Sequence, residues 1–371
     1  MTPRSCRLFE KQKQRSKQSA LRGGPVSMQL HKAIAQAAKF AAKAKDATLY
    51  QSVQLIPKVE DMTPARVFAT DGLIGCIIDV DVDLPAGLLP LEAIKAVSKQ
   101  KVSSVERNGD EITFRLVPGG VYKLIVKDTV GYPSLPTIPA NMVPMEHWKW
   151  IRKVMHAAAD IKAGKPTFQY VRFRSNCVEA TDSFRVAIVD VPGWATDRLG
   201  LARLFKGWSG YPRPLATFTN EMAWFKVGSE YRYAPLKLDG SYPDCHKLIP
   251  IEHDGPHVTV DTDKLLGAVK RATLVSPLKT VALDINAGEV VIKSWNAEDG
   301  GKAFRAALGG YPSEVPGKAL KVVSGKLLTE ALKQVETPNV RLCYRDLAND
   351  PLRIESGAYV ECLWPWKVGA A

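Results

Sequence analysis

Apolar residues recur at helical spacing in three places along the chain: Leu30–Ala44 (LHKAIAQAAKFAAKA), Met145–Asp160 (MEHWKWIRKVMHAAAD) and Thr262–Val275 (TDKLLGAVKRATLV). Their starts lie 115 and 117 residues apart, the signature of an internal repeat. Each is followed by an alternating segment and a tight turn: Val67-Phe-Ala-Thr-Asp-Gly72, Val178-Glu-Ala-Thr-Asp-Ser183 and, more loosely, Val291–Gly300. Asp71 and Asp182 are 111 residues apart. Two further turns, Gly131-Tyr-Pro-Ser-Leu-Pro136 and Ser241–Pro250, begin 110 residues apart and close the first two units. Second helices are expected at Pro90–Ser98, Leu199–Phe205 and Ser324–Lys333. The chain therefore reads as an α+β protein of three repeated domains, 28–140, 141–253 and 254–371, after a tail at 1–27. In each domain antiparallel sheets are covered on one face by two helices.

Length and charge sharpen this picture. At 371 residues with 46% hydrophobic and 24% charged positions, the chain is too long for one core and too apolar for disorder. Its net charge of +13 favours a polyanionic partner. The tail carries +6 of that excess and has almost nothing to bury, which predicts disorder. Arg22-Gly-Gly before Met28 also matches what a translated ribosome-binding site would encode, so Met28 is a candidate start. No apolar run is long enough to cross a membrane and no secretory signal is present, so a cytoplasmic protein without membrane contact is expected.

The helices are predominantly basic: the first carries no acid, and the third carries Asp263 alone, near its N-terminus. The first bears Lys32, Lys39 and Lys43, with Lys45 just beyond it; the second bears Lys149 and Lys153; the third bears Lys264, Lys270 and Arg271. The second helices of the first and third units add Lys95 and Lys326. Solvated helices ordinarily mix signs to form i,i+4 pairs, so predominantly basic helices at repeated positions predict a phosphate-facing surface.

These features, together with Glu179-Ala-Thr-Asp-Ser-Phe-Arg-Val186, Tyr242-Pro-Asp-Cys-His-Lys-Leu-Ile-Pro250, Ala268–Ser276 and the ending Ala358–Val368, resemble the bacterial DNA sliding clamp, the beta subunit of DNA polymerase III, over residues 28 to 368. The resemblance implies a processivity factor: a homodimeric ring with helices lining a channel for double-stranded DNA and sheets on the outer rim. Among loop residues it implies DNA contacts at Lys45 and Lys165. For ring closure it implies Tyr122 and Leu124 on one side of the joint, Leu274 and Val275 on the other. It also implies a pocket for short linear peptides of a replicative polymerase and a clamp loader, formed by Phe168, Thr181, Ser183, Phe184, Arg185, Val186, Pro243, Lys247, Leu248, Val360, Trp364, Pro365, Trp366, Lys367 and Val368. The chain departs from the family pattern: Thr-Asp-Gly-His-Arg-Leu is here Thr-Asp-Ser-Phe-Arg-Val, tryptophans replace methionines in the last strand, and the body is basic rather than acidic. Such divergence suits a phage- or plasmid-encoded member.

No cofactor, metal or catalytic residue is expected. The six cysteines are scattered without a C-x-x-C pair, and His253 and His257 flank Asp-Gly-Pro, a linker rather than a metal site. An enzyme would have to use Asp71 with Asp182, or Cys177 with a distant His; the two aspartates stand at equivalent turns of separate domains, where they serve the turn itself. The remaining rival is a monomeric repeat protein that binds nucleic acid along a basic face without encircling it.

Overall fold

Each expected unit has, near its start, a helix whose apolar side packs on a sheet. The computed structural model describes residues 30–365 apart from 43–49, 60–62, 98, 110, 126, 146–147, 161–165, 192–197, 206, 209–212, 220, 237–241, 250–254, 287, 297–301, 316, 346 and 348. The tail, Lys43, Lys45, Lys165, His253, Trp366, Lys367 and Val368 lie outside the described residues, as does the side chain of Lys95.

The first repeat runs helix Leu30–Ala37, then β1 (Ser52–Ile56), β2 (Ala65–Thr70), β3 (Gly75–Val80) and β4 (Gly87–Pro90), helix Leu91–Val97, then β5 (Lys101–Asn108), β6 (Glu111–Val117) and β7 (Val121–Ile125). The second runs the short β8 (Val143–Pro144), helix Trp148–Val154, β9 (Tyr170–Phe173), β10 (Cys177–Thr181), β11 (Arg185–Asp190), β12 (Arg198–Leu201), then β13 (Leu215–Phe218), β14 (Met222–Val227), β15 (Glu230–Pro235) and the one-turn helix Cys245–Leu248. The third has β16 (His257–Asp261), helix Thr262–Val275, β17 (Thr280–Asn286), β18 (Glu289–Asn296), β19 (Lys302–Gly309), β20 (Tyr311–Pro312), β21 (Lys318–Ser324), helix Gly325–Leu332, β22 (Asn339–Cys343), β23 (Leu352–Ser356) and β24 (Tyr359–Leu363).

The repeats do not coincide with the compact bodies. The chain divides into a unit of 1–145 with 213–235 and a unit of 146–212 with 236–371. The cause is sheet continuity. In the first unit one sheet runs β4-β1-β2-β3-β15-β14-β13-β8, so strands of the first repeat join strands of the second through β3 and β15. In the second unit the order β12-β9-β10-β11-β24-β23-β22-β16-β20 reproduces that plan, with β11 and β24 forming the joint. Two half-sheets are left over: β5-β6-β7 in the first unit and β19-β18-β17-β21 in the second.

Local chemistry explains the boundaries. The helix 262–275 spans the residues its apolar pattern predicts, because the Asp261 side chain caps it by accepting from the Lys264 amide at 2.8 Å. Ser324 starts helix 325–332 in the same way. Leu265, Ala268, Val269 and Ala272 turn one helix face into a core shared with Leu328, Ala331 and Leu332. Each fully buried leucine there contributes roughly 1.5–3 kcal/mol. The first two long helices are shorter than their patterns, ending in 3-10 turns at Ala38–Phe40 and Met155–Ala157. The expected helix at 199–205 is corrected: residues 198–201 form β12, pairing with β9, and only 202–205 coil, as a 3-10 turn. Pairing of Leu199 and Leu201 with Arg172 and Tyr170 overrides a helical period only seven residues long.

The closing turns work as a repeat too. The Tyr132 hydroxyl donates to the Ser52 carbonyl at 3.1 Å, and the Tyr242 hydroxyl donates to the Tyr170 carbonyl at 3.2 Å. In the first unit Tyr132 joins Phe68, Trp224, Tyr231 and Tyr233 in an aromatic layer. Gly75 permits this packing, since a Cβ there would lie 2.3 Å from the Tyr233 ring.

Candidate functional site

The turn between β10 and β11 is built by its own side chains. The Thr181 hydroxyl donates to the Arg185 carbonyl at 2.7 Å and accepts from the Ser183 amide, while one Asp182 oxygen accepts from the Phe184 and Arg185 amides, both at 3.0 Å. The first repeat has the same turn: Thr70 donates to the Ile74 carbonyl, Gly72 donates to Thr70, and Asp71 accepts from the Leu73 and Ile74 amides. Asp71 and Asp182 thus each serve a turn, one in the first unit and one in the second.

Gly72 has φ +88° and Ser183 φ +75° at the same place. A Cβ is disfavoured in this region, so Ser183 holds strain that glycine lacks. Ser183→Gly is expected to raise stability by about 0.5 kcal/mol and Ser183→Val to lower it by about 1–2 kcal/mol, read as shifts of the urea midpoint. Equal midpoints for the two variants would remove this account of the turn.

Where the first repeat has the buried Ile74, the second has Arg185, itself only 4% exposed. Its guanidinium bonds Asp182 at 3.0 Å, Glu330 at 2.7 Å and the His156 carbonyl, and lies 3.9 Å from Glu361. Burial works against this charge, but Glu361 and Asp182 outweigh it and hold the pKa above the ordinary arginine value. Glu361 is fully buried on β24, with His156 Nε2 2.8 Å away and the Tyr359 hydroxyl donating to it. Burial, then Glu361, pushes the Tyr359 phenol well above its usual range.

Around this joint lie many of the residues singled out for a peptide pocket. Val186 pairs with Cys362 and Ile188 with Val360, and the Trp364 amide donates to the Phe184 carbonyl at 3.1 Å. Thr181, Arg185 and Val186 are buried, Phe168, Pro243, Val360, Trp364 and Pro365 are half-buried, and Ser183 and Lys247 are exposed. Phe184 is 65% and Leu248 43% exposed, large apolar side chains held open to solvent. The helix 245–248, which carries Lys247 and Leu248, packs on β10 and β11. Thr181 has a structural duty, the one Thr70 performs.

The cationic residues divide. Lys32, Lys39, Lys149, Lys264, Lys270, Arg271 and Lys326 are exposed. Lys39 also donates to Gln36, Lys149 Nζ sits 4.0 Å from the Trp150 ring centre, and Arg271 lies over Phe304. Lys153 differs: it is buried, with Nζ 2.9 Å from Glu336. A charge already paired in this way has less to offer a phosphate.

At the sheet edges, Tyr122 and Leu124 are half-buried opposite Phe114 and Ile112, which are fully buried. Their counterparts in the completed sheets, Arg232 opposite Phe225 and Glu361 opposite Ile354, are all fully buried. On β19, Phe304 and Ala306 pack inward opposite Ser294 and Ile292. Leu274 is 79% exposed at the end of its helix, with Val275 half-buried beside it. Phe304 and Ala306 escaped sequence reading because an alternating strand does not reveal that its neighbouring edge is open.

Five of the cysteines are described, and all are buried thiols. Burial pushes Cys177 up to about 12, which keeps it protonated and a poor nucleophile at neutral pH. Among the described residues no helix is long and apolar enough to cross a membrane.

No family model matches the sequence, and no curated protein matches it. Solved structures do match. The DNA polymerase III beta subunit of Thermotoga maritima aligns at TM-score 0.73 and 16% identity, over 92% of this chain and 98% of that one. The DNA polymerase sliding clamp of Bacillus subtilis aligns at 0.73 and 18%, over 91% and 97%. The sliding clamp of Pseudomonas aeruginosa, in a structure bound to griselimycin, aligns at 0.69 and 15%, over 92% and 97%. Nearly whole-chain agreement at such low identity is agreement of backbone plan, and this chain has the sliding-clamp fold of the bacterial DNA polymerase III beta subunits.

Proposed function

We propose that this protein is a DNA sliding clamp, a non-enzymatic processivity factor whose two copies close around duplex DNA and tether a replicative polymerase. The observation that carries this reading is the unfinished joint. Two joints of one design, β3 to β15 and β11 to β24, are made within the chain. The parts of a third, β7 and β19, are edge strands among the described residues. A second copy supplies each with the partner it lacks, and two such contacts close a symmetric pair without leaving an edge open to aggregation. Tyr122 and Leu124 of one copy then meet Phe304, Leu274 and Val275 of the other.

Within the ring Lys32, Lys39, Lys149, Lys264, Lys270, Arg271 and Lys326 would face the duplex. Exposed ammonium groups on flexible stems attract phosphates without reading bases, which permits sliding. Phe184, Leu248 and Trp364 would receive the apolar end of a short peptide from the polymerase or the clamp loader, with Lys247 at the rim. The domain division at 140 and 253 and a cytoplasmic location accompany this reading.

Electron microscopy of the full chain tests it. Closed two-copy rings with an opening wide enough for a duplex are expected; compact monomers at every concentration would replace the clamp with a protein that binds nucleic acid along one face.

A further inference from the structure

Within the second unit, the fold brings together three side chains that the sequence keeps apart. Cys177 opens β10 and Glu179 follows two residues later, so both project from one face of the strand. His246 arrives from the one-turn helix 245–248, 69 residues on, placing Nε2 3.2 Å from the Cys177 sulfur. One ligand atom from each of Cys177, Glu179 and His246 lies within 4.8 Å of the others. Cys177 and Glu179 are fully buried and His246 is exposed.

We propose that Cys177, Glu179 and His246 form a binding site for a borderline divalent cation, zinc being the chemical type. In a tetrahedral zinc site with sulfur at about 2.3 Å and nitrogen or oxygen at about 2.0–2.1 Å, neighbouring ligand atoms stand roughly 3.3–3.6 Å apart. The present spacing needs only rotamer-scale adjustment to meet that. A mixed sulfur, imidazole and carboxylate set favours zinc or cobalt(II) and disfavours magnesium and calcium, which take oxygen ligands. On binding, the cation displaces the thiol proton; thiolate and carboxylate then balance its two charges. Three protein ligands leave a fourth position for water on the exposed His246 side. The turn at 174–176, where the Arg174 amide donates to the Cys177 carbonyl at 2.8 Å, fixes the strand end that carries the sulfur. Arg172, 3.6 Å from one Glu179 oxygen, also bears on the carboxylate.

The consequence is mechanical. The cation ties the segment 242–248 to β10, adding a metal clip to the Tyr242 hydrogen bond that already holds it. This assignment stands on the three side chains alone and does not depend on the clamp reading.

The full chain, stripped of metal under reducing conditions, is titrated with cobalt(II). One equivalent is expected to bind with a near-ultraviolet sulfur-to-cobalt charge-transfer absorption, and zinc should displace it. The absorption should vanish in Cys177→Ala, and affinity should fall more than about tenfold in His246→Ala, whose exposed side chain leaves folding intact. Zinc should raise the melting temperature of the parent but not of His246→Ala. Absence of the sulfur absorption in the parent, or its persistence in Cys177→Ala, would overturn the site.

Discussion

Replacing Leu274 and Val275 together by lysine is expected to yield a soluble monomer, against the dimer that the proposed clamp requires of the parent protein. In the isolated chain Leu274 is 79% exposed, so a charge there costs the folded monomer little. In the proposed joint the same position faces the apolar edge formed by Tyr122 and Leu124, and an ammonium group would be stripped of water without a partner. Charge adds to the conflict. Strand β19 carries Lys302 and Arg305 and no acid, and β7 carries Lys123, so no carboxylate on either strand is ready to receive a new lysine. Light scattering should report the mass of one chain for the variant and two for the parent, with circular dichroism unchanged. An unaltered dimer would refute this interface, and the single Leu274→Lys change guards against any effect of the half-buried Val275 on folding.

The second large effect is expected at Arg185. Changing it to isoleucine, the residue type at position 74 of the matching turn, keeps the volume apolar but leaves Glu361 buried without its guanidinium. Breaking a buried pair on one side costs about 3–5 kcal/mol, much of it the stranded charge. Arg185→Ile with Glu361→Leu should recover more than half of that loss, because both members are then apolar. Seven of the eight tryptophans lie in the second unit, so tryptophan fluorescence during urea unfolding follows that unit. If the double variant is no more stable than Arg185→Ile alone, the buried charge is not the source of the penalty. The contrast with Ile74 carries a lesson about the two joints. The first holds Arg232, which bonds Glu230 at 2.6 Å, and the second holds Glu361 with Arg185 and His156. Each joint is marked by its own buried charges on a common backbone plan.

Sequence reading reached the repeat because its markers are local. A Thr-Asp turn keeps its form wherever the hydroxyl and the carboxylate can reach backbone amides two and three residues on, so Thr70-Asp71 and Thr181-Asp182 were legible 111 residues apart. The helix 262–275 was legible to the residue because Asp261 caps it. Period alone failed at 199–205, where seven residues are too few to separate a helix from a strand that gains partners in β9.

By itself, then, the sequence determined the threefold repeat, the helix 262–275, the Thr-Asp turns of the first two repeats, the basic helices and the resemblance to clamps, all of which rest on residues close together in the chain. Only tertiary structure decided which residues share a sheet or a site. Repeats fuse into two units because β15 and β24 cross to β3 and β11; Lys153 meets Glu336; Cys177 meets His246. Spacing along a chain says nothing about such meetings, since they are set by hydrogen-bonded strand register and by the burial of side chains contributed from distant segments.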